Sequence, residues 1–180
     1  MERNFIDGYT EWQANPEIVG VNRLPQHATL MPYENFDEAK NADRYASSRC
    51  KLLNGKWKFK LYKNYAYKPS DFAQPHYDAH NWDSIIVPGS WQMQGYDQPQ
   101  YCNVRYPWEG SEDICPPNAP TKHNPVGCYL KKIHINAAAL QKRIVLCFEG
   151  VESAFYLYIN GERVGYSESS FNRAEFDISR

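Results

Sequence analysis

Two adjacent residues, Asn160 and Gly161, constrain the fold of this chain more than any others. They stand between Phe155-Leu157-Ile159 and Val164-Tyr166, two runs in which apolar residues recur with period two. Asn-Gly supplies the pair of positive φ values that a type I′ turn demands, so the segment predicts a two-residue β-hairpin. Other strands are on offer nearby. Trp57, Phe59 and Leu61 alternate with Lys56, Lys58 and Lys60, a strand with one wet face. Strand patterns follow at 84–87, 128–135, 143–148, 154–159, 163–166 and 175–178. In 143–148, Ile144, Leu146 and Phe148 share one face and Val145 and Cys147 the other, which predicts a central strand buried on both sides. Only 137–140, Ala-Ala-Ala-Leu, reads as helical in the second half, and it is one turn long. Many short strands and almost no helix argue for an all-β fold, an antiparallel β-sandwich or jelly roll.

At about 100–200 residues per domain, the 180 residues make one domain. Residues 1 to about 50 are polar, punctuated by Pro16, Pro25 and Pro32, and lack a sustained period of either kind; they read as an extended N-terminal arm. A short helix over 36–49, capped by Asn35 or Asp37, is the one element expected there. Residues 51–180 carry the strand patterns and form the domain proper.

The charge balance narrows the partners. Lys and Arg number 20 against 21 Asp and Glu, and neither sign is concentrated enough to coat a phosphate backbone or an anionic membrane. The longest apolar run, 154–159, is six residues, far below the roughly 20 of a membrane helix. No apolar signal-peptide core follows Met1 and no Asn-x-Ser/Thr sequon occurs. Cys50, Cys102, Cys115, Cys128 and Cys147 are odd in number and form no Cys-x-x-Cys pair, so they are expected to be reduced thiols in a cytoplasmic protein.

Between Pro88 and Pro125 the chain changes character. Six prolines follow Pro88, and Tyr101, Tyr106 and Trp108 gather around Asn103. A loop this long in a compact domain is a functional candidate. Trp91, Gln92, Tyr101, Asn103 and Trp108 offer aromatic rings to stack on a sugar and amides that donate to and accept from vicinal hydroxyls. The competing expectation is that such aromatics close over a core edge. His76 and His80, with Asp78 and Asp83, have metal-ligand chemistry but no helix to align them, and are expected to be solvated. The carboxylates Glu109, Glu112, Asp113, Glu149 and Glu152 are likewise expected to be solvated loop charge, since their spacing fixes no acid–base pair. No P-loop, Gly-x-Gly-x-x-Gly, Gly-x-Ser-x-Gly or His-Glu-x-x-His occurs.

Longer strings carry a resemblance. Val87-Pro-Gly-Ser-Trp-Gln-Met-Gln-Gly-Tyr-Asp-Gln-Pro-Gln-Tyr-Cys-Asn-Val-Arg-Tyr-Pro-Trp108 closely resembles the N-terminal sugar-binding domain of the multidomain β-galactosidases of glycoside hydrolase family 2. So do Asn124-Pro-Val-Gly-Cys-Tyr129, Phe148-Glu-Gly-Val-Glu-Ser-Ala-Phe-Tyr156, Asn160-Gly-Glu-Arg-Val-Gly-Tyr166 and Glu175-Phe-Asp-Ile178. Asn15-Pro-Glu-Ile-Val-Gly-Val-Asn-Arg-Leu-Pro25 and Leu53-Asn-Gly-Lys-Trp-Lys-Phe59 resemble the arm and first strand of that family. The resemblance implies a galactose-binding-like jelly roll within a longer retaining enzyme that hydrolyses terminal β-D-galactosides such as lactose. Both catalytic glutamates and the magnesium ligands are then expected in a later barrel domain, leaving this chain without catalytic residues and inactive alone. It also implies a homo-oligomeric parent, with a role for the arm in assembly.

By the same resemblance Asn103 of the Tyr-x-Asn-Val motif, with Val104 beside it, is a substrate-binding residue reaching the galactosyl hydroxyls. Many relatives carry an Asp, implied to touch substrate and a sodium ion, where this chain has Ser169; a serine is uncharged, which puts the sodium site in question. Glu168 is expected on the opposite face from Ser169 if the strand stays extended. The sandwich is expected to lack further strands beyond 177–180 and so to show an unpaired edge. An autonomous galactose-binding module is the alternative to a piece of an enzyme.

Overall fold

A computed structural model describes Trp12, residues 15–99, 101, 103–110, 112–114 and 118–179. Among these residues eight strands pair antiparallel in three sheets, which makes the chain an all-β protein. The first sheet centres on β2 (Gly55–Tyr62), flanked by β3 (Asp83–Val87) and β4 (Val126–Leu130). The lysine–aromatic alternation of β2 sets its faces. Phe59 is fully buried and meets the rings of Tyr96 and Tyr129, each at 4.8 Å, and of Trp91 at 6.0 Å. On the other face Lys58 Nζ donates to the carbonyls of Trp82 and His80 at 3.0 and 3.3 Å, so part of the wet face is spoken for.

The second sheet holds the hairpin. β6 (Ala154–Ile159) and β7 (Glu162–Glu168) are joined through Asn160 at φ 50° and Gly161 at φ 94°, with Ile159 opposite Glu162, the two-residue turn expected of Asn-Gly. β1 (Gly20–Val21) adds to the free edge of β7, pairing Val21 with Tyr166. The third sheet pairs β5 (Val145–Phe148) with β8 (Ala174–Asp177). Leu157, Ala174 and Phe176 are buried together, and Leu146, Phe148, Phe155, Ile159, Val164 and Ile178 pack around them. Phe176 is fully buried beneath Phe148 and Phe155, both edge-on.

Four local expectations change. The 143–148 strand is neither central nor buried on both sides: among the described residues it pairs with β8 alone, and Val145 and Cys147 are exposed. Leu146 and Phe148 supply the core face, and residues as small as Val and Cys are tolerated on a wet one. The 128–135 strand starts earlier, at Val126, and stops at Leu130. The 36–49 helix is five residues, α1 (Phe36–Lys40), capped by Asn35 Oδ1, which accepts from Glu38 N–H at 2.9 Å. The helical turn at 137–140 is a 3₁₀ turn at Ala139–Gln141.

Residues 15–50 have little regular structure of their own, and 19–27 run along β7 and β8. Leu24 N–H donates to Glu175 O at 2.8 Å, Glu168 N–H to Val19 O at 3.0 Å, and Gln26 Nε2 to Arg173 O at 2.9 Å. Ion pairs extend the contact: Arg44 with Glu149 at 2.8 Å, and Arg173 with Glu149 at 2.9 Å. Cys50, Cys128 and Cys147 are free thiols, and burial pushes Cys128 up to about 12. Cys102 and Cys115 lie outside the described residues. No helix among the described residues is long and apolar enough to cross a membrane.

Candidate functional site

The loop between β3 and β4 is built by side chains that bond backbone. At its root the Gln94 amide takes the place of a strand: Ile86 N–H donates to Gln94 Oε1 at 2.8 Å, and Gln94 Nε2 donates back to Ile86 O at 3.0 Å. Trp91 lies over Gly127, where a Cβ would meet its ring at 2.6 Å, and tilts against Phe59. Further out, Tyr106 N–H donates to Glu109 Oε2 at 3.0 Å and Glu109 N–H returns to Tyr106 O at 3.1 Å, closing a turn. The indole N–H of Trp108 donates to His123 O at 2.6 Å and so joins the outgoing limb to the returning one.

Glu112 makes the densest contact. Its Oε1 accepts from Thr121 Oγ1 at 2.6 Å and Thr121 N–H at 2.9 Å, and its Oε2 accepts from Lys122 N–H at 2.9 Å. The Thr121 hydroxyl bond, then the backbone N–H bonds of Lys122 and Thr121, hold this carboxyl down at about 2. Thr121 O in turn accepts from Asn64 Nδ2 at 2.6 Å, which ties the loop to the end of β2.

This network divides the expected sugar-binding residues. Trp91 is core: half-buried, packed on Phe59, its indole N–H buried without a partner. Gln92 accepts from the Ser90 hydroxyl and is half-buried. Trp108 is half-buried with its N–H committed. Asn103 stands in an exposed turn, and among the described residues its side chain makes no hydrogen bond. Val104 beside it is 91% exposed, Tyr106 83% and Tyr101 70%. The loop therefore presents an amide among apolar and aromatic surface, the combination that meets sugar hydroxyls and ring C–H groups. Tyr106 was not singled out as a stacking residue; its place within three residues of Asn103 was the available signal.

Ser169 follows the end of β7, exposed and at φ 88°. Its Oγ accepts from Asn172 Nδ2 at 2.8 Å, and no hydrogen bond connects it with Asn103 among the described residues. An uncharged hydroxyl that already accepts from an amide keeps one lone pair and brings no charge to a cation. Glu168 accepts from the hydroxyl of Tyr166, two residues back on its own face of β7. No group of three or more His, Cys, Asp or Glu among the described residues could hold a metal ion. His80 Nδ1 pairs with Asp78 at 2.7 Å on the exposed surface, in keeping with the solvated expectation. Glu112 and Glu149 are not idle charge: one closes the loop, the other joins Arg44 to Arg173.

An all-β domain whose longest loop lifts an amide and two tyrosines into solvent has the makings of a sugar-binding module. Residues 50–180 match the family described as "Glycosyl hydrolases family 2, sugar binding domain", and the chain belongs to that family. It is 49% identical over 173 residues to a protein named β-galactosidase from Priestia megaterium, covering 96% of this chain and 17% of that protein. Over 168 residues it is 43% identical to a β-galactosidase of Halalkalibacterium halodurans, covering 93% and 16%. A β-galactosidase large subunit of Leuconostoc lactis is 39% identical over 181 residues, covering 94% and 28%. The chain thus spans less than a third of the length of these relatives.

Proposed function

We propose that this chain is the non-catalytic sugar-binding domain of a retaining β-galactosidase, and that it helps the enzyme hold terminal β-D-galactose while the acid–base chemistry lies elsewhere in the protein. Its relatives' names support the substrate class. The observation that carries the reading is Asn103, exposed and unbonded among the described residues beside Val104 and Tyr106. An amide donates to one hydroxyl and accepts from its neighbour, which suits a vicinal diol. A site built on such bonds rejects a sugar that lacks the hydroxyl, because the amide is then left unpaired. Val104 offers apolar surface to the sugar ring in the same reading.

The described loop carboxylates support a non-catalytic role. Glu109 and Glu112 are bound to backbone N–H groups, and Glu112 is held far too acidic to carry a proton at neutral pH. Magnesium, in this reading, is held by the rest of the enzyme and supplies Lewis-acid chemistry there; no described residue is assigned to it. A jelly-roll architecture, the assembly role of the N-terminal arm, a homo-oligomeric parent and residence in the cytoplasm belong to the same proposal.

Two measurements test it. In the full-length enzyme, Asn103→Ala lowers kcat/KM for a chromogenic β-galactoside by about 10-fold or more, the scale set by losing a hydroxyl-reading amide. Residues 1–180 alone show no turnover of that substrate. Turnover by the isolated chain refutes the division of labour, and saturable lactose binding by it in calorimetry favours an autonomous galactose-binding module instead.

A further inference from the structure

We propose that Glu112 is a positioning residue for Asn103, fixing the loop in the shape that presents the amide to the sugar. The inference rests on the reading of Asn103 just given and deepens it. Hydrogen bonds running from the end of β2 to the 106–109 turn support it, and the chain itself covers the last three residues to Asn103. Asn64 follows β2, and its Oδ1 accepts from Ala66 N–H at 2.8 Å, which fixes the amide so that Nδ2 points to Thr121 O at 2.6 Å. Thr121 and Lys122 then deliver two backbone N–H groups and a hydroxyl to Glu112. Glu112 N–H returns to Trp108 O at 3.4 Å, Trp108 is anchored on His123, and the Tyr106–Glu109 turn leads back to Asn103.

The residue type follows from the donors it meets. All three are donors only toward this carboxylate, so they call for two acceptor oxygens at the reach of a glutamate. A glutamine keeps the oxygen that serves Thr121 but turns an NH₂ toward Lys122 N–H, donor against donor. An aspartate keeps the charge and falls one methylene short. Trp108 at φ 65° and Gly110 at φ 76° turn the chain sharply between Asn103 and Glu112, so a loosened clamp frees the segment that carries Asn103.

The experiment is a double-mutant cycle in the full-length enzyme carrying this domain, read as kcat and KM for a chromogenic β-galactoside. Glu112→Ala lowers kcat/KM by between about 10-fold and about 100-fold, the cost of a misplacement on the scale of 1 Å. Glu112→Gln recovers part of the loss and Glu112→Asp recovers less. The thermal midpoint of Glu112→Gln stays within a degree or two of the parent, since an exposed loop contributes little to global unfolding. In an Asn103→Ala background Glu112→Ala costs nothing further, because the group it positions is gone. If Asn103→Ala loses activity and Glu112→Ala does not, or if the two losses multiply, the positioning role is overturned and the reading of Asn103 stands. If Asn103→Ala itself leaves kinetics unchanged, both fall.

Discussion

The paired sheets around Phe176 and the loop between β3 and β4 hold their shapes by opposite means. Around Phe176 the backbone bonds itself, β5 to β8 and β6 to β7, and side chains contribute apolar area. In the loop few backbone groups pair with one another, and Gln94, Trp108, Glu109 and Glu112 supply the missing partners. Burial is cooperative and shared among many residues, whereas a loop stitched by single polar side chains has its order concentrated in a few of them. The contrast suits a binding site: the sheets are stable against change, and the loop can differ between relatives without disturbing them.

Breaking the first region has the largest effect. Phe176→Ala removes a fully buried ring packed against Phe148 and Phe155 and costs about 3–5 kcal/mol, measured as a lowered denaturant midpoint. A loss below about 0.5 kcal/mol, the ordinary scale of a surface change, would show that this cluster does not govern folding. The loop responds differently. Trp108→Phe removes the donor to His123 together with part of the ring and costs about 1 kcal/mol or less globally, while amide exchange across 103–125 quickens. Equal loss of protection in β6 and β7 would erase the distinction between the two regions.

The same distinction decides what the sequence made legible. The Asn160–Gly161 turn was readable because its cause is local: two residues with positive φ between alternating runs. So was the capping role of Asn35, which lies three residues from the N–H it serves. β1 was not, since its two residues pair with β7 far along the chain and carry no period. The outer face of β5 was misread because an apolar pattern on both faces says what a strand can bury, and only its neighbours decide what it does bury. In the loop, a string resemblance pointed to Asn103, but nothing in the string reveals that Trp91 turns inward or that Glu112 spans nine residues to Thr121. Side chain to backbone bonds have no sequence period, so a region built from them stays opaque until its geometry is known.

The smallest expected effect lies where residues 19–28 meet β7 and β8, a seam that uses both means. β1 adds backbone bonds there, and His27 adds a polar clasp: Nδ1 faces Ala28 O and Nε2 faces Glu175 Oε2, both at 2.7 Å. A carbonyl and a carboxylate only accept, so the imidazole must donate from both nitrogens, which only the cation does. The Ala28 carbonyl, followed by the bond to and charge of Glu175, raises the His27 pKa above the ordinary imidazole value, against a smaller opposing push from Arg173. A raised value in the folded state means that the clasp contributes fully below about 6.5, the unfolded value, and that its contribution is lost as pH rises through the folded one. Leu24 N–H, bonded to Glu175 O in the same seam, should therefore exchange faster above that pH than the ordinary base-catalysed increase accounts for. His27→Gln removes the excess. A His27 titration midpoint at or below the ordinary value in NMR would show that the seam is held by β1 alone, and that the clasp forms no working part of it.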